Sequence, residues 1–276
     1  MDQNIGLHCE ESSSRREFLE RLACLAGGVT LLPLLDPESA HAQIAAENDD
    51  RLVTSRVEYD APGTKISGYL ARLKGGGKRP AVIVIHENRG LNPHIQDVAR
   101  RFAVEGFLAL APDMLSPLGG TPQEPESISK MFASLNAGDT VARLAAAVPY
   151  LAGLPECTGK VGVVGFCWGG GMVNRLAAAG TSLAAAVSYY GAQLPAADVP
   201  KISAPLLLHY GSLDQRINAG IADFEAALKA NNKTYEIHMY EGANHAFNND
   251  TNTARYSKEA SDLAWGRTIK FFKKYL

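Results

Sequence analysis

The sequence predicts an α/β protein whose mostly parallel sheet carries helices on both faces. Three observations point there: short β-branched apolar runs, helical apolar spacing between them, and a length of 276 residues, which suits one large domain. Pro80-Ala81-Val82-Ile83-Val84-Ile85 is a continuous apolar run, as in a strand buried on both faces. Ile95, Val98, Ala99, Phe102 and Ala103 then recur at helical spacing. The next strand covers residues 107–111 and ends at Pro112-Asp113. Residues 115–129 are rich in Ser, Pro and Gly and read as a surface excursion, a candidate lid over a site. A helix over residues 137–152 leads to a strand over 161–166. Strands over 184–189 and 205–210, a helix carrying Ile221, Phe224 and Leu228, a strand over 235–240 and a closing helix over 256–275 complete the alternation. Upstream, residues 51–73 alternate and turn at Ala61-Pro62-Gly63-Thr64, which predicts a β-hairpin at the sheet edge.

The first 42 residues follow different rules. Ser14-Arg15-Arg16-Glu17-Phe18-Leu19 precedes a short apolar stretch, residues 23–35, and then Ala40-His41-Ala42, a small-x-small cleavage pattern. Twin arginine, apolar core and A-x-A describe a signal for the twin-arginine export machinery, with Glu20 where a lysine is usual. The expected organisation is therefore a signal peptide over 1–42, removed on export to the periplasm or beyond, and an α/β domain over 43–276. An amphipathic helix retained in the fold is the competing reading of that segment. No run approaches the roughly 20 apolar residues of a membrane-spanning helix, so no membrane contact is expected once the segment is removed. A formal net charge of −2 gives no reason to expect a nucleic acid as partner. Of four cysteines, Cys9 and Cys24 would leave with the signal. Cys157 and Cys167 flank a strand whose length, about 20 Å, exceeds the roughly 7 Å that a disulfide tolerates. Cys167 should be a free thiol.

In a parallel α/β sheet, ligands bind beyond the carboxyl ends of the strands. Glu87, Cys167, Asp214 and His245 each follow a predicted strand. Gly165-Phe166-Cys167-Trp168-Gly169 has the G-x-nucleophile-x-G form of a sharp strand-to-helix turn, where flanking side chains would collide. The helix beginning near Trp168 aims its N-terminus at the sulfur; its dipole favours thiolate, and the Trp168 amide can stabilise an oxyanion. A buried structural cysteine in a dinucleotide fold is the rival reading, but it requires G-x-G-x-x-G, which the stretch lacks. Asp214 and His245 complete the order nucleophile, acid, histidine: the histidine accepts the thiol proton and the aspartate holds its tautomer. His209, inside an apolar strand, reads as a satisfied core residue. His86-Glu87 cannot be a metal motif of the H-E-x-x-H kind, because Gly90 stands where the second histidine is needed; no metal is expected.

Ile85-His86-Glu87-Asn88-Arg89-Gly90, Gly165-Phe166-Cys167-Trp168-Gly169-Gly170, the Asp214 loop and Gly242-Ala243-Asn244-His245-Ala246-Phe247 resemble the dienelactone hydrolase family over nearly all of residues 55–275. The resemblance implies an α/β-hydrolase fold that cleaves a small-molecule ester or lactone through an acyl-cysteine, without a cofactor. It also implies that Glu87 is the family's additional glutamate, abstracting the thiol proton when substrate arrives, and that the amide near Asn88 is the second oxyanion donor. Until substrate arrives, the Glu87 charge beside the thiol should raise its pKa and keep it largely neutral. Glu87 as a backbone cap, or as a partner of Arg89, is the alternative. Two positions depart from the family. Asn249 and Pro117 stand where dienelactone-cleaving members carry arginines that hold a substrate carboxylate. A less acidic ester or lactone than dienelactone is therefore the expected substrate, with Arg89 either a replacement clamp or an ordinary solvated arginine. Two other functions remain open to the sequence: an acyltransferase on the same triad, and a non-catalytic thiol sensor using Cys167. Oligomeric state is open too.

The export reading has a direct test. Residues 1–42 fused to a folded reporter should carry it out of the cytoplasm, and replacing Arg15 and Arg16 by lysine should stop it; transport that survives the replacement removes the twin-arginine assignment.

Overall fold

The computed structural model describes residues 44–276, which form one packed unit. The expected export segment, with Cys9 and Cys24, lies outside the described residues. A hairpin opens the fold: β1 (Leu52–Ala61) and β2 (Thr64–Leu73) pair antiparallel in register from Leu52–Leu73 to Ala61–Thr64. The tight turn is made by Pro62 and Gly63, with Gly63 at φ 75°, where proline fixes the first corner and glycine takes the left-handed one. Six more strands follow, β3 (Arg79–Ile85), β4 (Leu108–Pro112), β5 (Cys157–Phe166), β6 (Ala185–Tyr189), β7 (Leu206–Gly211) and β8 (Tyr235–Tyr240). They form a single sheet in the order β1-β2-β4-β3-β5-β6-β7-β8. β2 meets β4 antiparallel, and every pairing from β4 to β8 is parallel. The hairpin is thus the predicted sheet edge, and the parallel part has the predicted alternation.

Alternate residues of the central strands divide between two cores. Ile83, Val163, Ala186 and Leu208 pack with α3 (Ala137–Ala152), α4 (Trp168–Ala177) and α6 (Ile221–Ala230). Val82, Val84, Val164 and Leu207 pack with α1 (Pro93–Val104) and α7 (Lys258–Tyr275). This is why the strands read as continuous apolar runs: neither face meets water. α1 starts where Asn92 accepts the Ile95 N–H, followed by Pro93 in the first turn, and α3 starts where Asn136 accepts the Asp139 N–H. β5 begins four residues before its apolar run, at Cys157, so Cys157 and Cys167 sit at opposite ends of the strand and both are free thiols. Among the described residues no helix is long and apolar enough to cross a membrane.

The excursion after β4 is tethered, and it contains more structure than its composition suggests. The buried Asp113 carboxylate accepts from the N–H groups of Leu115 and Thr121 and from the Thr121 hydroxyl, while that hydroxyl accepts the Leu91 N–H. Short 3₁₀ turns occupy Ser116–Leu118 and Pro125–Ser127, and a helix not expected from the sequence, α2 (Ile128–Ser134), follows. Its single buried residue is Ile128, too little periodicity to register in the sequence. At the other end of α1, a buried ionic clasp fastens two distant segments. Asp97 accepts the Ala45 N–H at 2.8 Å and pairs with Arg101, which also reaches Asp250 in the loop after His245.

The turn from β5 into α4 is the tightest place in the fold. Cys167 has φ 54° and ψ −114°, a left-handed backbone that a side-chain-bearing residue rarely adopts. A Cβ on Gly165 would lie 2.3 Å from the Gly169 oxygen, and one on Gly169 would lie 2.5 Å from the oxygens of both Ile85 and His86. Glycine is obligatory at both places because backbone, not a movable side chain, fills the space. Gly169→Ala should therefore lower stability by about 1–3 kcal/mol, read by denaturant unfolding. Gly171→Ala, whose Cβ would meet nothing nearer than 3.6 Å, should be neutral or up to about 1 kcal/mol stabilising, as glycine to alanine is in a helix.

Candidate active site

The strained turn presents Cys167 above the carboxyl edge of the sheet, at the centre of the parallel strands. β6 and β7 end beyond it on one side, and β3 on the other. Each of the four predicted side chains arrives from a different strand end. Asp214 follows β7 and caps α5 (Gln215–Asn218): its Oδ1 accepts the Ile217 N–H at 3.4 Å. That bond fixes the carboxylate and leaves Oδ2 to accept from His245 Nδ1 at 2.5 Å. With Nδ1 carrying its hydrogen, Nε2 is the acceptor, and it lies 3.1 Å from Cys167 Sγ. Thiol, imidazole and carboxylate form one hydrogen-bonded chain, in the geometry a base-activated nucleophile requires.

Glu87 follows β3, adjacent to β5, and is buried. Its two oxygens have separate neutral donors: the Tyr190 hydroxyl reaches Oε1 at 3.3 Å and Asn249 Nδ2 reaches Oε2 at 2.7 Å. A pair with Arg89 is not formed; Arg89 is exposed, as is Asn88. Burial and the Glu87 charge together push the Cys167 thiol up to about 11, against the Trp168 N–H, which donates to the sulfur and pulls the other way. Of the two opposed expectations, a thiolate favoured by the helix dipole and a neutral resting thiol beside the Glu87 charge, the second prevails. One oriented amide is present at the sulfur, but desolvation and a neighbouring carboxylate outweigh it.

Backbone strain gathers at this site. Among the described residues, the non-glycine residues at positive φ are Cys167, Tyr190, Ala246 and Asn232, and the first three border the site. Tyr190, directly after β6, has its ring 5.1 Å from that of His245. Next to the sulfur, the Trp168 ring stacks on His86 at 5.4 Å, and Phe132 of α2 stands edge-on to Trp168 at 5.0 Å. Through Phe132, α2 packs against the two aromatic rings that flank the Cys167 turn. His86 is not placed as a metal ligand, because both its nitrogens face backbone groups, the Glu87 carbonyl and the Met114 N–H. His209 is the satisfied core residue expected, bonded to Tyr240 and Thr268.

The profile described as the Dienelactone hydrolase family matches residues 66–276. The chain belongs to the dienelactone hydrolase family. A relative from Escherichia coli O157:H7, whose provisional name is carboxymethylenebutenolidase, is 32% identical over 243 residues, covering 82% of this chain and 89% of its own. A crystal structure from Klebsiella pneumoniae, provisionally named a dienelactone hydrolase, superimposes with a TM-score of 0.75 at 29% identity, over 81% of this chain and 99% of its own. A dienelactone hydrolase-like promiscuous phosphotriesterase from metagenomic libraries gives 0.74 at 27% identity, over 82% and 99%. The fold is therefore the α/β-hydrolase fold, and the chain is a hydrolase of the dienelactone hydrolase type.

Sequence reasoning missed Tyr190 and the role of Asn249. Tyr190 was open to the rule that located the other four, since it too follows a strand; Tyr189-Tyr190-Gly191 only looks like a continuing apolar run. Asn249 was marked as an absent arginine, whereas its side chain is turned inward on Glu87. Removing the Glu87 charge should lower the Cys167 pKa, because the carboxylate disfavours thiolate. Glu87→Gln should therefore be alkylated by iodoacetamide faster than wild type at pH 8, with the midpoint of the rate–pH curve below about 11. Slower alkylation would mean that Glu87 serves as the resting thiol's base.

Proposed function

We propose that the chain hydrolyses small, uncharged carboxylic esters or lactones through an acyl-cysteine intermediate. The observation that carries this is the unbroken chain from Cys167 Sγ to His245 to Asp214, at 3.1 and 2.5 Å; burial and the neighbouring Glu87 carboxylate keep the thiol neutral at rest. A thiol held up to about 11 is mostly protonated, so a base must remove its proton as it attacks. In the proposed reaction Sγ bonds to the substrate carbonyl carbon as the thiol proton passes to His245 Nε2. Glu87 assists when substrate displaces one of its neutral donors. The carbonyl oxygen becomes an oxyanion, received by the Trp168 and Asn88 amides. The tetrahedral intermediate collapses, the alkoxide leaves with the proton from His245, and the acyl group stays on sulfur. Water, deprotonated by His245, then attacks the thioester and frees the acid and the thiol.

Uncharged substrates are favoured by what surrounds Glu87. Its partners are a phenol and an amide, and Asn249 and Pro117 occupy the two positions at which an arginine would hold a substrate carboxylate. An anionic substrate would meet the Glu87 charge with no cation at those positions. The dienelactone hydrolase-like phosphotriesterase has, by its name, a neutral triester as substrate, which supports the same preference. We also propose that the protein acts outside the cytoplasm, on the strength of the twin-arginine segment.

The test is a panel of nitrophenyl esters and lactones, neutral and carboxylate-bearing, run on wild type and Cys167→Ala in parallel. Cys167→Ala should keep its melting temperature and lose hydrolysis. For wild type, neutral substrates should lead acidic ones of similar size by roughly tenfold or more, since a missing charge-assisted contact is worth about 1.5–3 kcal/mol. Undiminished hydrolysis by Cys167→Ala would falsify the covalent route, and a preference for the acidic lactone would reinstate Arg89 as a clamp.

A further inference from the structure

The buried imidazole of His86 has no part in the triad, yet it touches both halves of the proposed oxyanion site. It is wholly buried, and each nitrogen has one partner. Nε2 lies 3.2 Å from the Met114 amide nitrogen, which can only donate, so Nε2 accepts. Nδ1 must then carry the hydrogen, and it donates to the Glu87 carbonyl oxygen at 2.7 Å. Burial lowers the His86 pKa, which keeps the ring in this neutral, one-donor form.

The carbonyl that His86 holds belongs to the peptide linking Glu87 to Asn88. A trans peptide is planar, and its C=O and N–H point in opposite directions. Fixing the Glu87 oxygen against the His86 ring therefore fixes the Asn88 N–H on the far side of that plane. Among the described residues the Asn88 N–H has no backbone or side-chain acceptor. The same ring stacks on the Trp168 side chain at 5.4 Å and 10°. The backbones of the two loops are also in close approach, since a Cβ on Gly169 would lie 2.5 Å from the His86 oxygen. Met114 brings the third support, from the end of β4, whose Asp113 ties down the excursion through Thr121.

We infer that His86 is the positioning residue of the oxyanion hole. By clamping the Glu87–Asn88 peptide it holds one amide donor in place, and by stacking on Trp168 it fixes that donor's distance from the other. The inference rests on the proposed roles of the Trp168 and Asn88 amides. If the clamp is lost, that peptide is free to rotate, and a carbonyl oxygen can turn toward the developing oxyanion instead of an N–H. The acylation barrier then rises while the thiol and its base are untouched.

Two reactions of the same sulfur separate these effects. Acylation by a nitrophenyl ester builds an oxyanion. Alkylation by iodoacetamide forms the S–C bond as iodide leaves and the thiol proton is taken up by base, with no carbonyl oxyanion formed. His86→Phe keeps a buried ring to stack on Trp168 and removes both hydrogen bonds. Its rate of nitrophenolate release should fall about 100-fold, the usual cost of one oxyanion donor. KM should stay within about threefold, as for an interaction made mainly in the transition state. Alkylation should stay within about twofold of wild type, because the triad is intact. His86→Asn, whose amide N–H can occupy the Nδ1 position, should recover most of the acylation rate although it lacks the ring. Unchanged acylation in His86→Phe overturns the inference. So does an equal fall in acylation and alkylation, or a His86→Asn variant as slow as His86→Phe, since either outcome marks His86 as a general support of the pocket. If wild type itself releases no nitrophenolate, the ester-cleaving proposal fails, and this inference with it.

Discussion

The site depends on one backbone contact, the passage of α4's first turn against the ends of β3 and β5 with no atom to spare. Because Gly165 and Gly169 lack side chains, the chain can reverse direction immediately after β5, and that reversal forces Cys167 into its left-handed conformation. The strain has a consequence for chemistry. It lifts the sulfur out of the sheet while keeping the Trp168 N–H against it, and it brings the helix start to within contact of the His86 peptide. The cost of the strained residue is carried by the two apolar cores on either side of the sheet, which fix β3 and β5 in parallel register from Ala81–Val161 to Ile85–Gly165.

Around that turn the electrostatics favour a neutral thiol. Glu87 is buried beside the sulfur and is held by a phenol and an amide, neither of which cancels its charge. An arginine at position 249 would have paired with the carboxylate and weakened its effect on the thiol. Asn249 satisfies the same lone pairs without neutralising them. The loop bearing Asn249 is itself fixed from outside the site, through Asp250 and Arg101 to Asp97 and on to the Ala45 amide. A single buried clasp thus connects the beginning of the described chain, α1 and the segment that supports Glu87.

The architecture and the hydrogen-bonded chain Cys167–His245–Asp214 were legible in the sequence because their signals are local. Val82 to Ile85 and Val161 to Phe166 announce strands buried on both faces. Gly165 and Gly169 announce a turn that only glycine permits. Cys167, Asp214 and His245 each follow a strand, so the geometry of a parallel sheet alone was enough to bring them to one edge. The edge hairpin was legible for the same reason, from Pro62 and Gly63. α2 was not, since its seven residues bury only Ile128 and carry no periodic stripe.

What the tertiary structure decided is everything that depends on which atom faces which across the site. A sequence can place Glu87, Tyr190 and Asn249 after their strands or helices, but it cannot show that the last two donate to the first. The sequence offered both a helix dipole favouring thiolate and a Glu87 charge opposing it, but not which of the two prevails at Cys167. The outcome is a balance between one amide and the burial and charge of neighbours more than 20 residues away in sequence, and only packing sets those distances. His86 illustrates the division best. Its sequence context excluded a metal motif and offered nothing in its place, whereas the fold puts one of its nitrogens on Met114 after β4 and the other on the Glu87–Asn88 peptide. Patterns of apolar and small residues specify where the backbone runs, because burial and steric exclusion act residue by residue. Protonation and hydrogen-bond direction are properties of pairs, and the pairs exist only once the chain has folded.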